Sequence, residues 1–270
     1  MYEKRKVWLA VSAASATLLG STAAQADVAQ DLLQAEQHYT MVAPFAGAGE
    51  GEGEGEGSGV VDLRVNDAAY LAQLGLIRGH LYVAKKLYDQ GHLGMAKTHM
   101  KHPEDELYAA LVPAFEARGV DGFADQLSTL ANTVNNARGD DAVNQAYNDL
   151  VAAIDAAEQV QQKSVKSVLM SLSSMLLTAG EEYDIGVQQG SIVNVHEFQD
   201  AYGFTAIAKA RINQLSAQQR EANAAALDEV AEILAQLPEL WPTITPEGKV
   251  EGDSSTLYGA AARIELATLN

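Results

Sequence analysis

The chain has 270 residues, of which 18 are basic and 36 are acidic, so that its formal net charge is −18 at pH 7. Such a surface repels nucleic-acid phosphates and anionic lipids, and it attracts cations or a basic partner protein. Because the sequence contains no cysteine, disulfides, thiolate metal sites, covalently attached c-type haem and cysteine catalysis are excluded.

The amino terminus has the three parts of a secretory signal peptide. Three basic residues at 4–6 precede an apolar run over 7–20, and an Ala-x-Ala cleavage site ends at Ala26. The apolar run is too short to span a bilayer, which needs about 20 residues. We therefore expect residues 1–26 to be removed, leaving a periplasmic protein with no stable membrane insertion.

Three further regions follow the signal peptide. Residues 27–46 are predicted to form a short helical segment. Residues 47–59 alternate glycine and glutamate, and because this composition buries little apolar surface and repels itself, it predicts a disordered linker. Residues 60–270 are predicted to form one helical bundle domain.

The sequence of this domain predicts an all-α, antiparallel bundle, because apolar residues recur at helical spacing and short connections separate the segments. No segment has the alternation and turn residues of a hairpin, so no strand is expected. The unit at 92–118 is expected to be interrupted by Pro103 and Pro113. Helices are predicted at about 66–90, 92–118, 120–138, 140–161, 164–188, 194–214, 216–237 and 256–266.

One cluster of candidate metal ligands lies around Pro103. His99, His102 and Glu106 are spaced i, i+3, i+7, which places them on one helix face if the helix continues through the proline. Two imidazoles and a carboxylate are a suitable ligand set for iron, zinc, manganese or copper. The alternative is a helix end at which histidine and acidic residues only complement helix dipoles.

Other candidate ligands lie on separate helices. His80 has apolar neighbours at helical spacing, so it is predicted to point into the core, where it is either a ligand or a hydrogen-bonded core residue. Glu182 continues an apolar stripe and therefore needs a buried partner. His196 and Asp200 are i, i+4 neighbours. These residues either complete one metal site with the first cluster or form an ordinary hydrogen-bond network.

No motif of an enzyme is present. The sequence lacks a Gly-x-Ser-x-Gly elbow, a phosphate loop, a dinucleotide fingerprint and a His-Glu-x-x-His pair. The Glu-x-x-His pairs of carboxylate-bridged di-iron oxidases are missing too. We therefore expect no enzymatic activity and no catalytic residues.

Residues 181–204, EEYDIGVQQGSIVNVHEFQDAYGF, resemble a stretch of the soluble helical modules associated with bacterial high-affinity iron permeases of the Ftr type. The segment from Gly79 to Glu106 is similar in style to imelysin-like iron-handling proteins. The intramembrane permease motif is missing, so the resemblance implies the soluble periplasmic part alone. It also implies an iron cargo and an inner-membrane iron permease as a partner.

Two functions remain open from the sequence. The first is a periplasmic metal-binding protein that captures or buffers iron, or else copper, zinc or manganese, for uptake. The second is a non-metal interaction module whose histidines are structural.

Overall fold

The structure is a computed structural model that describes residues 61–103 and 107–269. The predicted signal peptide (1–26), helical segment (27–46) and linker (47–59) lie outside the described residues, and the boundaries of the 60–270 domain stay a prediction. Within the described part, the chain is mostly helical and packs as a bundle, which confirms the predicted all-α class. None of the described helices is long and apolar enough to cross a membrane.

Ten α-helices make up most of the described chain. The predicted positions hold to within a few residues, except that the segment predicted at 216–237 divides into two helices at Asn223. Three short 3-10 turns, at Val160–Gln162, Ile212–Gln214 and Leu237–Leu240, end or join helices. The α-helices are α1 (Asp67–Asp89), α2 (Leu93–His102), α3 (Tyr108–Arg118), α4 (Ala124–Asn135), α5 (Asp140–Glu158), α6 (Val165–Gly186), α7 (Val195–Arg211), α8 (Ala217–Ala222), α9 (Ala224–Ala235) and α10 (Ser255–Ala267).

Helix α1 is the centre of the molecule. It begins at Asn66, whose side chain accepts a hydrogen bond from the backbone N–H of Ala69. One side of α1, including Leu71 and Leu76, packs into a core formed mainly by α6, α7, α9 and α10. Another side, including Ile77, packs into a core with α3, α4 and α5. Because apolar residues occupy most of its circumference, α1 is buried almost all round.

The two prolines of the 92–118 unit behave differently. Helix α2 ends at His102, and Pro103, its C-cap residue, keeps a helical backbone conformation. The predicted joint at Pro103 stays a prediction, because residues 104–106 lie outside the described part of the chain. The predicted interruption at Pro113 is wrong, because Pro113 lies inside α3, which continues from Tyr108 to Arg118. Only Gly119, at φ 62°, ends this helix, with the left-handed conformation that glycine adopts readily.

The prediction that the domain needs no strand is also wrong. After α6, β1 (Val187–Gln188) pairs antiparallel with β2 (Ser191–Ile192). The turn between them uses positive φ at Gln189 and Gly190, which is the conformation a two-residue hairpin needs. Each strand has only two residues, so there is no room for the alternation that would have indicated it. The hairpin reverses the chain so that α7 packs back along α6.

Helices α1 and α7 approach each other closely through a pair of glycines. A Cβ atom on Gly203 would lie 2.5 Å from the carbonyl oxygen of Gly79, and one on Gly79 would lie 3.0 Å from the backbone nitrogen of Phe204. Only glycine permits backbones to come this near. This crossing sets which side chains of the two helices meet, and His80 lies next to it.

Candidate metal centre

Helix α1 holds His80 at the crossing with α7. The imidazole is buried, with the Phe204 ring edge-on at a centroid distance of 5.0 Å. This confirms the prediction that His80 points into the core. Since His80 follows Gly79 directly, the close approach of the backbones brings its ring to the inner face of α7.

Helix α2 brings His99 to the same place. The chain leaves α1 through a turn at Gly91, where φ is 81°, and α2 then packs against α1. The His99 side chain is fully buried. A buried imidazole needs partners for both ring nitrogens, and α7 provides both.

Helix α7 supplies the groups that face these histidines. It begins after Asn194, whose side-chain oxygen accepts a hydrogen bond from the backbone N–H of His196. This confirms the predicted start of the helix. One turn later, Gln199 and Asp200 are buried, and the i, i+4 spacing stacks His196 over Asp200.

The carboxylate of Asp200 is the point on which three imidazoles converge. The Nδ1 atom of His80 lies 2.6 Å from Asp200 Oδ1. The Nδ1 atom of His99 lies 2.9 Å from the same oxygen. The Nδ1 atom of His196 lies 3.2 Å from the other oxygen, Oδ2. Donor atoms from three helices therefore surround one buried carboxylate, a grouping able to hold a metal ion.

Gln199 fixes the protonation of the outer nitrogen of His99. Its side-chain N–H donates to the backbone carbonyl of Ile244 at 3.1 Å, so its Oε1 atom is the one that faces His99 Nε2, at 2.9 Å. His99 must then donate from Nε2 to Gln199. Metal-bound histidines commonly donate their second ring N–H to an oxygen in this way, which orients the ring toward the metal.

The surroundings of Asp200 favour its charged form. Burial would raise the pKa of this carboxyl group, but the contacts with His80 and His99 outweigh it and hold the pKa well below its ordinary value. Asp200 is therefore anionic in the folded protein over the physiological range. A buried carboxylate with nitrogen donors around it attracts a cation.

A second group of side chains lies on the solvent side of Asp200. The His196 ring stacks on His99 with centroids 4.0 Å apart, and its Nδ1 atom lies 3.7 Å from Glu197 Oε2. Glu197 also accepts a hydrogen bond from the Asn194 side chain at 3.3 Å. Helix α6 presents the half-buried Glu182 to Glu197, and the two carboxyl groups share a hydrogen bond.

The pKa values of Glu182 and Glu197 are shifted in opposite directions. Burial and the neighbouring Glu197 carboxylate raise the pKa of Glu182 to about 8. The hydrogen bond with His196 outweighs burial and lowers the pKa of Glu197. Glu182 therefore carries the shared proton near neutral pH. The inward-facing carboxyl group is accommodated there because it is uncharged.

We expect this raised pKa to make the stability of the chelator-treated protein depend on pH. Glu182 ionises near 4.5 in the unfolded chain and near 8 in the folded one, so the unfolded state binds fewer protons between these values. The free energy of unfolding should fall as pH rises from 4.5 to 8, by at most about 1.4 kcal/mol per pH unit. Urea unfolding of the wild type and Glu182→Gln across this window measures the effect, and the variant should lose this part of the slope.

The control for this prediction is Glu229→Gln, which removes an exposed carboxyl group on α9. In this control variant, the free energy of unfolding should depend on pH as it does in the wild type. An identical slope in Glu182→Gln and the wild type would show that Glu182 ionises normally in the fold.

The structure brings together four of the seven predicted site residues. His80, His99, His196 and Asp200 are in direct contact, and Glu182 reaches the group through Glu197. The His102 side chain and the whole of Glu106 lie outside the described part of the chain, so their places in the site stay predictions. Gln199 was not predicted as a site residue, and Glu197 was predicted only as a helix cap.

The signals for these two residues were weak. In the sequence, nothing distinguishes Gln199 from a surface glutamine except that it directly precedes Asp200. Glu197 has the spacing of a cap residue three positions after Asn194, and it does interact with Asn194, but it also faces His196.

The site lies partly inside a known family domain. Neither a curated protein nor a solved structure significantly matches the chain. Residues 158–268 match the family described as the iron permease-associated 4-helix bundle domain. The match includes α6, α7 and α10 and the residues Glu182, His196 and Asp200, whereas His80 and His99 precede it. The resemblance seen in residues 181–204 is thus confirmed: residues 158–268 form an iron permease-associated 4-helix bundle domain.

Proposed function

We propose that the protein binds iron at the buried site formed by His80, His99 and Asp200, in the service of an iron permease. The observation that carries the proposal is the convergence of both histidine Nδ1 atoms on Asp200 Oδ1, at 2.6 and 2.9 Å, in the protein interior. The family of residues 158–268 supplies the link to an iron permease. The ion is a cargo in this proposal, not a resident cofactor.

The donor set suits ferrous iron. Two imidazoles with one carboxylate, leaving other coordination positions open, are the ligands that non-haem Fe(II) commonly has in proteins. Zinc, copper and manganese accept the same donors. Which of these metals binds depends on the coordination geometry and on which ion is available. The acidic surface of the chain raises the local concentration of any such cation.

The orientation of His99 supports a cation between the imidazoles and Asp200. Because Nε2 carries the proton given to Gln199, the Nδ1 atom of His99 either carries a second proton or directs a lone pair at the Asp200 oxygen 2.9 Å away. Two electron pairs repel at this distance, and a proton or a metal ion between them removes the repulsion. Metal binding then displaces a proton, so affinity should weaken as pH falls.

The predicted export signal and the absence of catalytic motifs complete the proposal. An iron carrier in the periplasm would hold the ion near an inner-membrane permease and release it there. No reaction is required of the protein, and capture or buffering is sufficient. The alternative is an interaction module. In that case the histidines are structural and bind no metal.

Thermal melting of the chelator-treated protein with single metal ions tests the site. At a free Fe(II) concentration 100 times the dissociation constant, binding stabilises the native state by about 2.7 kcal/mol. That corresponds to a rise in Tm of roughly 5–10 °C for a chain of this size. His99→Ala should abolish the rise, and Fe(III), Zn(II), Cu(II) and Mn(II) give the selectivity.

His92→Ala is the matched control, because His92 is exposed at the start of α2 and lies outside the cluster. It should retain the full Fe(II)-dependent rise. Small and equal shifts with every ion, unchanged in His99→Ala, would mean general screening of negative charge and would refute the site.

A further inference from the structure

The donors around Asp200 form two groups, one on each of its carboxylate oxygens. His80 and His99 lie at Oδ1, whereas His196 lies at Oδ2. A carboxylate that presents its two oxygens to separate sets of donors has the arrangement of a bridge between two metal ions.

The distances in the second group suit a metal ion. Ligand atoms about 2.1 Å from an ion and at right angles to each other are about 3 Å apart. The Nδ1 atom of His196 lies 3.2 Å from Asp200 Oδ2 and 3.7 Å from Glu197 Oε2. These three donors lie within 4.8 Å of one another, so small side-chain rotations would complete the coordination.

A further oxygen donor stands beside this group. Glu182 comes from α6 and hydrogen-bonds to the Glu197 carboxyl group. Two carboxyl groups held together by a proton occupy positions that a cation can bridge instead. The second group is therefore richer in oxygen than the first, with one imidazole and up to three carboxylates.

The two groups also differ in their access to solvent. The side chains of His80 and His99 are 8% and 0% exposed, whereas those of His196 and Glu197 are 17% and 25% exposed. An ion arriving from solvent meets the second group first. The carboxylate of Asp200 then offers a path from the outer position to the inner one, because it is a ligand in both.

We infer that His196, Glu197 and Asp200, with Glu182, form a second, solvent-facing cation position joined to the buried one through the Asp200 carboxylate. The inference rests on the proposed function, since it takes the His80–His99–Asp200 site as the first position. The ligand is a divalent transition-metal cation. The outer position loads the inner one, and two ions occupy the pair about 3.5–4 Å apart at saturation.

Metal stoichiometry distinguishes one position from two. The full chain is stripped with chelator, titrated with Mn(II) or with Fe(II) under anaerobic conditions, and its tightly bound metal is measured after equilibrium dialysis. The wild type should bind two equivalents. Glu197→Gln and His196→Ala should each bind one equivalent and retain the melting shift produced by the first ion.

Electron paramagnetic resonance of the Mn(II)-loaded protein gives an independent readout. Two Mn(II) ions bridged by a carboxylate couple magnetically, so the wild-type spectrum should lack the hyperfine pattern of isolated ions. That isolated-ion pattern should appear in Glu197→Gln. The conservative Glu197→Gln change keeps an oxygen that accepts from Asn194, so it preserves the start of α7 even if His196→Ala does not.

Each result decides a different question. One equivalent in the wild type, lost in His99→Ala, would overturn the second position and leave the proposed site intact. No bound metal in the wild type would overturn both. Two equivalents retained in both Glu197→Gln and His196→Ala would mean that surface carboxylates hold the second ion, and Glu229→Gln serves as the control for such surface binding.

Discussion

Asp200→Asn should abolish metal-dependent stabilisation while leaving the helical fold in place. Asparagine has nearly the same shape as aspartate, so the packing between α1, α2 and α7 is retained. The change removes the carboxylate that contacts His80, His99 and His196 together. A neutral amide is a poor ligand for a transition metal beside imidazoles, so the expected rise of roughly 5–10 °C in Tm with Fe(II) should fall to near zero.

The same substitution should also weaken the metal-free protein. Because contacts with the histidines lower the pKa of Asp200 in the fold, its charge stabilises the native state at pH values above the unfolded pKa of about 3.9. This contribution is lost as pH falls through the folded pKa. At pH 7 the Asp200→Asn protein should therefore be less stable by about 1–3 kcal/mol, measured by urea unfolding.

The matched control is Asp228→Asn, which makes the same chemical change at an exposed position on α9. Both its metal response and its stability should equal those of the wild type. If Asp200→Asn kept the full Fe(II)-dependent rise, the ion would be bound elsewhere and Asp200 would be only a hydrogen-bond acceptor for structural histidines.

Helical periodicity predicted most of the fold. The apolar stripes and caps located the helices because each helix buries one face, and that face is visible in the local sequence. Asn194 is an example, since it marked the start of α7 from its residue type and spacing alone. The short hairpin after α6 and the uninterrupted α3 were not predicted. Two-residue strands carry no pattern, and a helix tolerates a proline when its other residues, here Leu111, Ala114 and Phe115, are packed in the core.

The residue types of the site could be read from the sequence, but their assembly could not. His80 was expected in the core from its neighbours, and the i, i+4 spacing of His196 and Asp200 put them on one face. What brings these residues together is the close crossing of α1 and α7 at Gly79 and Gly203. A glycine on each of two helices indicates a close approach only after their pairing is known.

The site joins two parts of the chain that differ in their family relationship. His80 and His99 come from helices that precede the matched bundle, whereas Asp200 lies within it. The matched region alone therefore contains Glu182, His196 and Glu197. Of the His80–His99–Asp200 group it contains only Asp200. Helix α1 contributes both to the inner group of side chains and to the core of the matched bundle, so the proposed metal binding would be coupled to the packing of these two parts.

The same junction contains a buried ion pair, and disrupting it should produce the largest loss of stability that we expect from one substitution. Arg211 at the end of α7 is 1% exposed and pairs with Glu158, which is fully buried. Arg211 also donates to the carbonyl of Leu71 on α1 at 2.8 Å. On the other side of Glu158, Arg78 of α1 donates to its second oxygen at 2.8 Å.

Arg211→Met should lower the free energy of unfolding by about 3–5 kcal/mol, because it leaves Glu158 buried with one of its two cationic partners removed. In a chain of this size the loss corresponds to a fall in Tm of roughly 10 °C, measured by urea and thermal unfolding. Arg220→Met, at an exposed arginine on α8, should change stability by less than about 0.5 kcal/mol.

A double-mutant cycle separates the ion pair from the packing of the arginine side chain. Glu158→Gln with Arg211→Met should be less destabilising than the sum of the single changes, by an interaction energy of about 1–3 kcal/mol. Additive losses would show that Arg211 acts through its contacts with Leu71 and its neighbours alone. Since Arg78 and Leu71 belong to α1, a measured coupling would mean that this pair holds the helix bearing His80 against the matched bundle.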